Sequence, residues 1–79
     1  MTTADRVRKI ISTIGAVNAA SLTDSAILGE LGLDSLDLVE IVMGIENEFD
    51  FDIPDGAVEQ LSTVGDAIRY VEQHAPAVG

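Results

Sequence analysis

The serine at position 35 is the residue whose type and placement could support chemistry. It follows Gly32, Leu33 and Asp34, and it opens the second helix that the hydrophobic pattern predicts. At the first turn of a helix, free backbone N–H groups and the positive end of the helix dipole favour an anion, so a phosphodiester on Ser35 would be well placed. The tripeptide Asp34-Ser35-Leu36 is also typical of an ordinary N-cap, and taken alone it favours that simpler interpretation.

Other chemistries fit these residue types less well. A serine hydrolase would need a Gly-x-Ser-x-Gly elbow, which the chain lacks, and the Asp-Ser-Leu of one esterase signature follows a glycine where this chain has Leu33. The single histidine, His74, lies at the end of the last predicted helix, where the helix dipole explains it. The nine carboxylates between Asp34 and Glu59 lack the paired arrangement that acid–base catalysis needs. We therefore predict that the chain is not an enzyme and has no catalytic residues.

A metal site is not expected either. A calcium loop counted from Asp50 would have Pro54 at a ligand position, Gly56 at the seventh place instead of the sixth, and Leu61 where a bidentate glutamate belongs. The chain has no cysteine, which excludes disulfides and thiolate metal ligands.

The charge distribution restricts the class of partner. The 79 residues carry a net charge of −10, and no Lys or Arg occurs between Lys9 and Arg69, where twelve Asp or Glu residues lie. Such a field repels nucleic acids and anionic membranes, whereas it attracts a partner with a basic patch. No signal segment or membrane-spanning run is visible, so we expect one cytoplasmic, monomeric domain over residues 1–79.

Hydrophobic periodicity predicts an all-α four-helix bundle without strands. The expected helices are residues 3–17, with Gly15 beginning the termination, then 34 or 35 to 49, a short third helix at 55–61, and a fourth that begins after Thr63 and ends before Pro76. The apolar stripe of the first helix consists of Val7, Ile10, Ile11 and Ile14, and that of the fourth of Val64, Ala67, Ile68 and Val71. Thr2 or Thr3 can cap the first helix, and Thr63 with Asp66 resembles a capping box. The long first loop, 18–33, is too apolar to be a free linker, so we expect it to pack across the bundle.

The second helix has two apolar faces. At about 100° per residue, Ile41, Val42, Ile45 and Phe49 fall near Leu38 and form the core stripe. Three other apolar residues point away from that stripe, with carboxylates around them: Leu36, Val39 and Met43. An apolar patch with a charged rim is typical of a docking surface.

The order and spacing of these segments resemble the acyl carrier protein family. The resemblance covers residues 7–11 (VRKII), 31–40 (LGLDSLDLVE), 41–49 (IVMGIENEF), 52–55 (DIPD) and 61–68 (LSTVGDAI). It implies that a transferase using Mg²⁺ attaches 4′-phosphopantetheine from coenzyme A to Ser35. The arm would carry acyl groups as thioesters to enzymes of fatty-acid, polyketide or related lipid biosynthesis.

The resemblance also implies roles for residues around Ser35. The partners would be a phosphopantetheinyl transferase, acyl transferases, and ketosynthases or ligases with basic docking patches. Positions that match the family's docking residues are Asp34, Leu36, Asp37, Val39, Glu40, Met43 and Glu46. Positions that match its core, some of which can line a cavity for the acyl chain, are Leu38, Val42, Ile45, Phe49, Ile53, Leu61 and Ile68.

Several positions depart from the pattern of housekeeping fatty-acid carriers. Leu33 replaces a usual Ala, Leu38 a frequent Thr, Gly44 a usual Ala and Asn47 a usual Glu. Gly44 is expected to loosen the helix by up to about 1 kcal/mol. The form Gly-Leu-Asp-Ser-Leu is similar to carriers of specialised pathways, including aminoacyl or peptidyl systems. An unmodified acidic helical interaction module remains a further alternative.

Overall fold

Three longer helices each begin with a reciprocal capping box. The computed structural model describes residues 2–75, and Pro76, expected to end the last helix, lies outside them. The longer helices are α1 (Thr3–Gly15), α2 (Ser35–Phe49) and α4 (Val64–His74), and a single turn, α3 (Asp55–Val58), precedes α4. Their capping pairs are Thr2 with Asp5, Asp34 with Asp37, and Thr63 with Asp66. The predicted all-α fold with a short third helix is confirmed, and no strand forms within residues 2–75.

Two helix ends differ from those that the periodicity predicts. α1 stops at Gly15 instead of Val17, because Ala16 adopts a left-handed conformation with φ of 54°. The N–H of Val17 then turns back to the carbonyl of Ser12 at 3.2 Å. α3 stops at Val58 instead of Leu61, since the following residues make tighter i to i+3 hydrogen bonds, such as that from Leu61 N to Val58 O at 3.1 Å.

The core lies where α1, α2 and α4 meet. α1 packs against both α2 and α4. The buried side chains come from the predicted apolar stripes and from the loops: Val7, Ile11, Leu22, Leu28, Ile41, Ile45, Phe49, Ile53, Val64, Ala67, Ile68 and Val71. Four further members of those stripes are only half-buried, namely Ile10, Ile14, Leu38 and Val42. α1 and α2 are antiparallel, because Arg6 contacts Glu48 while the next turns of α1 contact Gly44.

The long connection between α1 and α2 is packed across the bundle, as its apolar content predicts. It contains two single-turn 3₁₀ helices, Ala19–Ser21 and Leu28–Glu30. Leu22 and Leu28 are buried in the core, which anchors the segment twice. The guanidinium of Arg8 donates to the carbonyl of Leu22 at 2.8 Å and also pairs with Asp24.

Backbone hydrogen bonds tie this connection to the start of α4. Ile27 and Thr63 form an isolated antiparallel bridge, with Leu28 N donating to Ser62 O at 2.9 Å. The N–H of Gly65 donates to the carbonyl of Asp24 at 2.8 Å. Close approach at this point requires glycine, since a Cβ on Gly65 would lie 2.9 Å from that same oxygen.

We predict that Gly65→Ala lowers the free energy of unfolding by about 1–3 kcal/mol, the usual cost of overpacking. The atom that the new methyl group meets is a backbone carbonyl oxygen, which cannot rotate away as the end of a side chain can. Urea denaturation followed by circular dichroism measures the change. Gly56→Ala is the matched control, because a Cβ there meets no atom within 4 Å. Equal stability of the two variants would contradict this explanation.

The capping box of α4 predicts a dependence of stability on pH. Folding lowers the pKa of Asp66 from its ordinary 3.8, first because its carboxylate accepts the backbone N–H of Thr63, and further through Ser62 N–H and Arg69. A carboxyl whose pKa is lowered on folding stabilises the protein above its unfolded pKa, and this contribution is lost as the pH falls through the folded pKa.

We therefore expect Asp66→Asn, which keeps an oxygen acceptor, to unfold with a weaker pH dependence below about pH 4. Urea unfolding at a series of pH values from about 6 down to about 3 measures this slope. Asp52→Asn, at an exposed loop carboxylate outside the capping boxes, should keep the wild-type slope. If Asp66→Asn and wild type lose stability in parallel on acidification, the capping carboxylate is not the cause.

Candidate functional site

The Ser35 hydroxyl takes no part in the hydrogen bonds that cap the first turn of α2. Asp34 is the N-cap: its carboxylate accepts the N–H of Asp37 at 2.8 Å, and the Asp37 carboxylate accepts the N–H of Asp34 at 3.2 Å. Gly32, with φ of +78°, turns the chain into this cap. Ser35 is exposed and follows the cap directly. The interpretation of Ser35 as merely an N-cap is thereby removed, because Asp34 performs that role.

The electrostatics around Ser35 suit an anion that stays in solvent. The N–H groups of Ser35 and Leu36 belong to the first helical turn, where no intrahelical acceptor exists, and they lie at the positive end of the helix dipole. Asp34 and Asp37 place two carboxylates in the same turn. These carboxylates oppose an enclosed phosphate pocket, whereas they allow an exposed phosphodiester on the serine oxygen. Ser35 is therefore better suited to carry a covalently attached phosphodiester than to bind a free phosphate ion.

The geometry gives no support to a hydrolytic site at Ser35. The ring of His74 lies against Tyr70, with centroids 4.3 Å apart, and Tyr70 lies 6.3 Å from Phe51. Phe51 follows the C-terminal end of α2, whereas Ser35 begins that helix, and 15 residues of α-helix span about 22 Å. The imidazole is therefore associated with the far end of α2.

An exposed apolar surface lies on the outer side of α2, as the helical periodicity predicts. Its members Leu36, Val39 and Met43 are 64%, 53% and 55% exposed, and we call them the outer face of α2. The exposed carboxylates of Asp34 and Glu40 belong to the same helix and its cap, and Asp37 is half-buried beside them. The arrangement can dock a surface that offers apolar contacts within a basic rim.

Glu46 stands apart from the other acidic residues that the family pattern relates to docking. Its carboxylate accepts the backbone N–H of Ile53 at 2.7 Å, and the residue is half-buried. This bond ties the loop after α2 to the helix itself. Glu46 thus has a structural role that the sequence did not predict, because the bond joins residues seven positions apart through a loop conformation that periodicity does not encode.

An apolar cavity lies on the inner side of α2. Its volume is about 270 Å³, and four of the predicted cavity residues line it, namely Leu38, Val42, Ile45 and Leu61. Leu38 lies three residues after Ser35, which places the two on the same side of the helix. The remaining predicted residues are buried elsewhere in the core: Phe49, Ile53 and Ile68. We call this space the inner cavity.

Sequence reasoning missed part of the wall of the inner cavity. Ile27, Leu28 and Gly29 line it from the long connection, and Val58 lines it from α3. Ile27 is 45% exposed and therefore lies at the boundary between the cavity and solvent. The signal in the sequence was the adjacent apolar pair Ile27-Leu28 in the long connection, but its position on the cavity depends on the bridge from Ile27 to Thr63 at the start of α4, which helical spacing does not predict.

Within residues 2–75, no group of three or more His, Cys, Asp or Glu side chains is arranged to hold a metal ion. Among the helices described, none is long and apolar enough to span a bilayer.

Comparison with known proteins supplies independent information on this site. A family model described as "Phosphopantetheine attachment site" matches residues 5–71. An acyl carrier protein from Zymomonas mobilis is 41% identical over 73 residues, an alignment that covers 91% of this chain and 94% of that protein. The family-model match includes all of α2 and most of α1 and α4, with the loops between them.

Proposed function

The chain belongs to the acyl carrier protein family, which carries covalent 4′-phosphopantetheine, and we propose that Ser35 is the residue that bears this arm. Acyl carriage is therefore the function of the protein. The observation that supports Ser35 is its exposed hydroxyl at the start of α2, with Asp34 serving as the N-cap in its place. Modification can then proceed without breaking a hydrogen bond on which the helix depends.

Attachment uses the Ser35 oxygen as the nucleophile. The oxygen attacks the phosphorus of coenzyme A that bears the pantetheine group, loses its proton, and displaces 3′,5′-bisphosphoadenosine. When bound, the arm supplies the thiol that holds an acyl group as a thioester. The residues of the chain itself provide position only: Asp34 and Asp37 fix the helix start, and exposure keeps the attachment point accessible to other proteins.

The inner cavity is proposed to shelter the acyl cargo between transfers. Its walls are almost entirely apolar, and its volume of about 270 Å³ corresponds to about nine groups of the size of a water molecule. Leu38 lies between the attachment turn and the interior. Burial of an alkyl chain in this space stabilises it by the hydrophobic effect, at roughly 0.8 kcal/mol per CH₂.

Members of this family interact with biosynthetic enzymes, and the outer face of α2 is the surface that we propose for these contacts. The proposed partners are a phosphopantetheinyl transferase, acyl transferases, and ketosynthases or ligases with basic patches. Steering by charge accelerates encounter, while three exposed apolar side chains give a small contact area. Short-lived complexes suit a carrier that must serve several enzymes in turn.

The protein is proposed to act as a monomer in the cytoplasm and to have no catalytic activity of its own. The proposal of no catalysis is supported by the position of His74, whose ring lies against Tyr70 and thus near Phe51, at the end of α2 away from Ser35. Which acyl group it carries depends on the enzymes that load it.

We predict that the wild-type chain gains the mass of one phosphopantetheine group when incubated with coenzyme A, Mg²⁺ and a broad-specificity phosphopantetheinyl transferase. Ser35→Ala should gain no mass, because no other serine lies at the start of α2. Intact-mass spectrometry gives the result, and circular dichroism shows whether both chains are folded. If wild type gains no mass, or if Ser35→Ala gains the same mass, then the attachment site is wrong and an unmodified interaction module becomes the better explanation.

A second prediction concerns the outer face of α2. Met43→Ala and Glu40→Lys should each slow loading by the transferase by about five- to tenfold at physiological salt, because apolar contact or charge attraction is lost. Their free energies of unfolding should stay near that of wild type, since both side chains are exposed.

The matched control is Glu72→Lys, which makes the same change of net charge at an exposed position of α4. Rates for Glu72→Lys should remain close to wild type. Docking through the outer face is contradicted if Glu72→Lys and Glu40→Lys slow loading equally, because net charge alone would then explain the effect.

A further inference from the structure

A second and larger space lies between α1 and α2, lined by both apolar and charged side chains, and the proposed carrier function does not use it. Its volume is about 600 Å³, and it has no lining residue in common with the inner cavity. The residues along it are Arg6, Lys9, Ile10, Thr13 and Ile14 of α1, with Gly44 and Glu48 of α2. We call it the α1–α2 groove.

Gly44 gives the groove its floor. A Cβ at this position would lie 3.0 Å from Ile10 Cγ2 and 3.0 Å from Ile14 Cδ1, so a side chain here would press on those two residues. The sequence suggested that Gly44 loosens α2, whereas the structure shows that it lets Ile10 and Ile14 lie directly against the backbone of α2. Both isoleucines continue the apolar stripe of α1 but are only half-buried, which leaves part of their surface on the groove.

The charged and apolar side chains of the groove follow each other directly along α1. Arg6, Lys9 and Glu48 carry the charges, while Ile10 and Ile14 supply the apolar surface beyond Lys9. The distance along α1 from Lys9 to Ile14 is about 8 Å, the length of a short medium-chain alkyl group. A head group at Lys9 and a tail over the two isoleucines would therefore find different surroundings in the same groove.

Lys9 supplies the positive charge that is available for a ligand in the groove. The guanidinium of Arg6 is already occupied, because it donates to Glu48 at 2.8 Å and lies 4.4 Å from the centre of the Phe49 ring. Arg8 is paired with Asp24 and Arg69 with Asp66. Within residues 2–75, Lys9 is thus the basic side chain that takes part in no ion pair, and it lies on the groove.

We propose that the α1–α2 groove binds a single-chain anionic amphiphile, namely a medium-chain fatty-acid carboxylate, with the carboxylate at Lys9 and the alkyl chain over Ile10, Ile14 and Gly44. The pairing of Arg6 with Glu48 neutralises the carboxylate nearest the head group. An acidic helix of another protein would be repelled by the net charge of −10, whereas one carboxylate meets mainly the local field of Lys9. The site lies apart from Ser35 and requires no arm.

The test uses decanoate, below the concentration at which it forms micelles, with the full-length Ser35→Ala chain so that no arm or cargo is present. Titration followed by ¹H–¹⁵N correlation spectra should give saturable shifts at amides from Arg6 to Ile14 and around Gly44. Amides around Leu38 and Leu61, at the inner cavity, should shift less. Decyltrimethylammonium, with a similar tail and a cationic head, should bind at least fivefold more weakly.

Three variants that each lower the net charge by one separate the groove from charge in general. Lys9→Gln removes the head-group contact, and Thr13→Glu places a carboxylate beside the tail, so each should weaken decanoate binding at least fivefold. Gln73→Glu, on α4 outside the groove, should bind as wild type does. Lys9, Thr13 and Gln73 are all exposed, so folding should be retained.

Four results would overturn the proposal. They are the absence of saturable shifts, equal binding of decanoate and decyltrimethylammonium, shifts confined to the inner cavity, and equal affinity of Lys9→Gln and Gln73→Glu. Shifts at the groove with an acidic amphipathic peptide but none with decanoate would also overturn it, since the occupant would then be a protein partner.

Discussion

The reciprocal hydrogen bonds between Asp34 and Asp37 determine where α2 begins, and most of the functional surface follows from that starting point. Because side chains on a helix advance by about 100° per residue, fixing the first residue fixes the direction of every later one. Ser35 becomes the first helical residue, Leu38 turns inward one turn later, and Met43 points to solvent. If the helix began one residue later, Ser35 would be the N-cap, and its hydroxyl oxygen would accept a backbone N–H of the first turn.

Charge divides the protein into two unlike sides. α1 carries three of the four basic residues, and two of these hold other parts of the fold: Arg6 binds Glu48, and Arg8 binds the long connection at Leu22 and Asp24. α2 carries acidic residues around exposed apolar side chains, with no basic residue of its own. The cations therefore act mainly within the protein, while the anions remain available to other molecules.

Features that depend on neighbours in sequence could be predicted, and those that depend on distant contacts could not. The apolar stripes of α1, α2 and α4, the capping pair Thr63 and Asp66, and the exposed residues of α2 all follow from helical spacing. Gly15 indicated where α1 begins to terminate, but the left-handed conformation at the next residue, Ala16, could not be predicted, because glycine usually takes that conformation. The cavity wall at Ile27 and the groove at Gly44 arise only when separate segments meet.

The bridge between Ile27 and Thr63 gives the inner cavity walls of unequal stiffness. On one side, the long connection and the start of α4 are joined by backbone hydrogen bonds, including those from Leu28 to Ser62 and from Val64 to Ala26. On the other side, Val58 and Leu61 belong to a single helical turn without a side-chain cap and to the turns that follow it. A larger acyl chain in the inner cavity would therefore displace α3 more readily than the long connection or the start of α4. The cavity would then accommodate acyl chains of different size through movement of α3, while the other helices keep their positions.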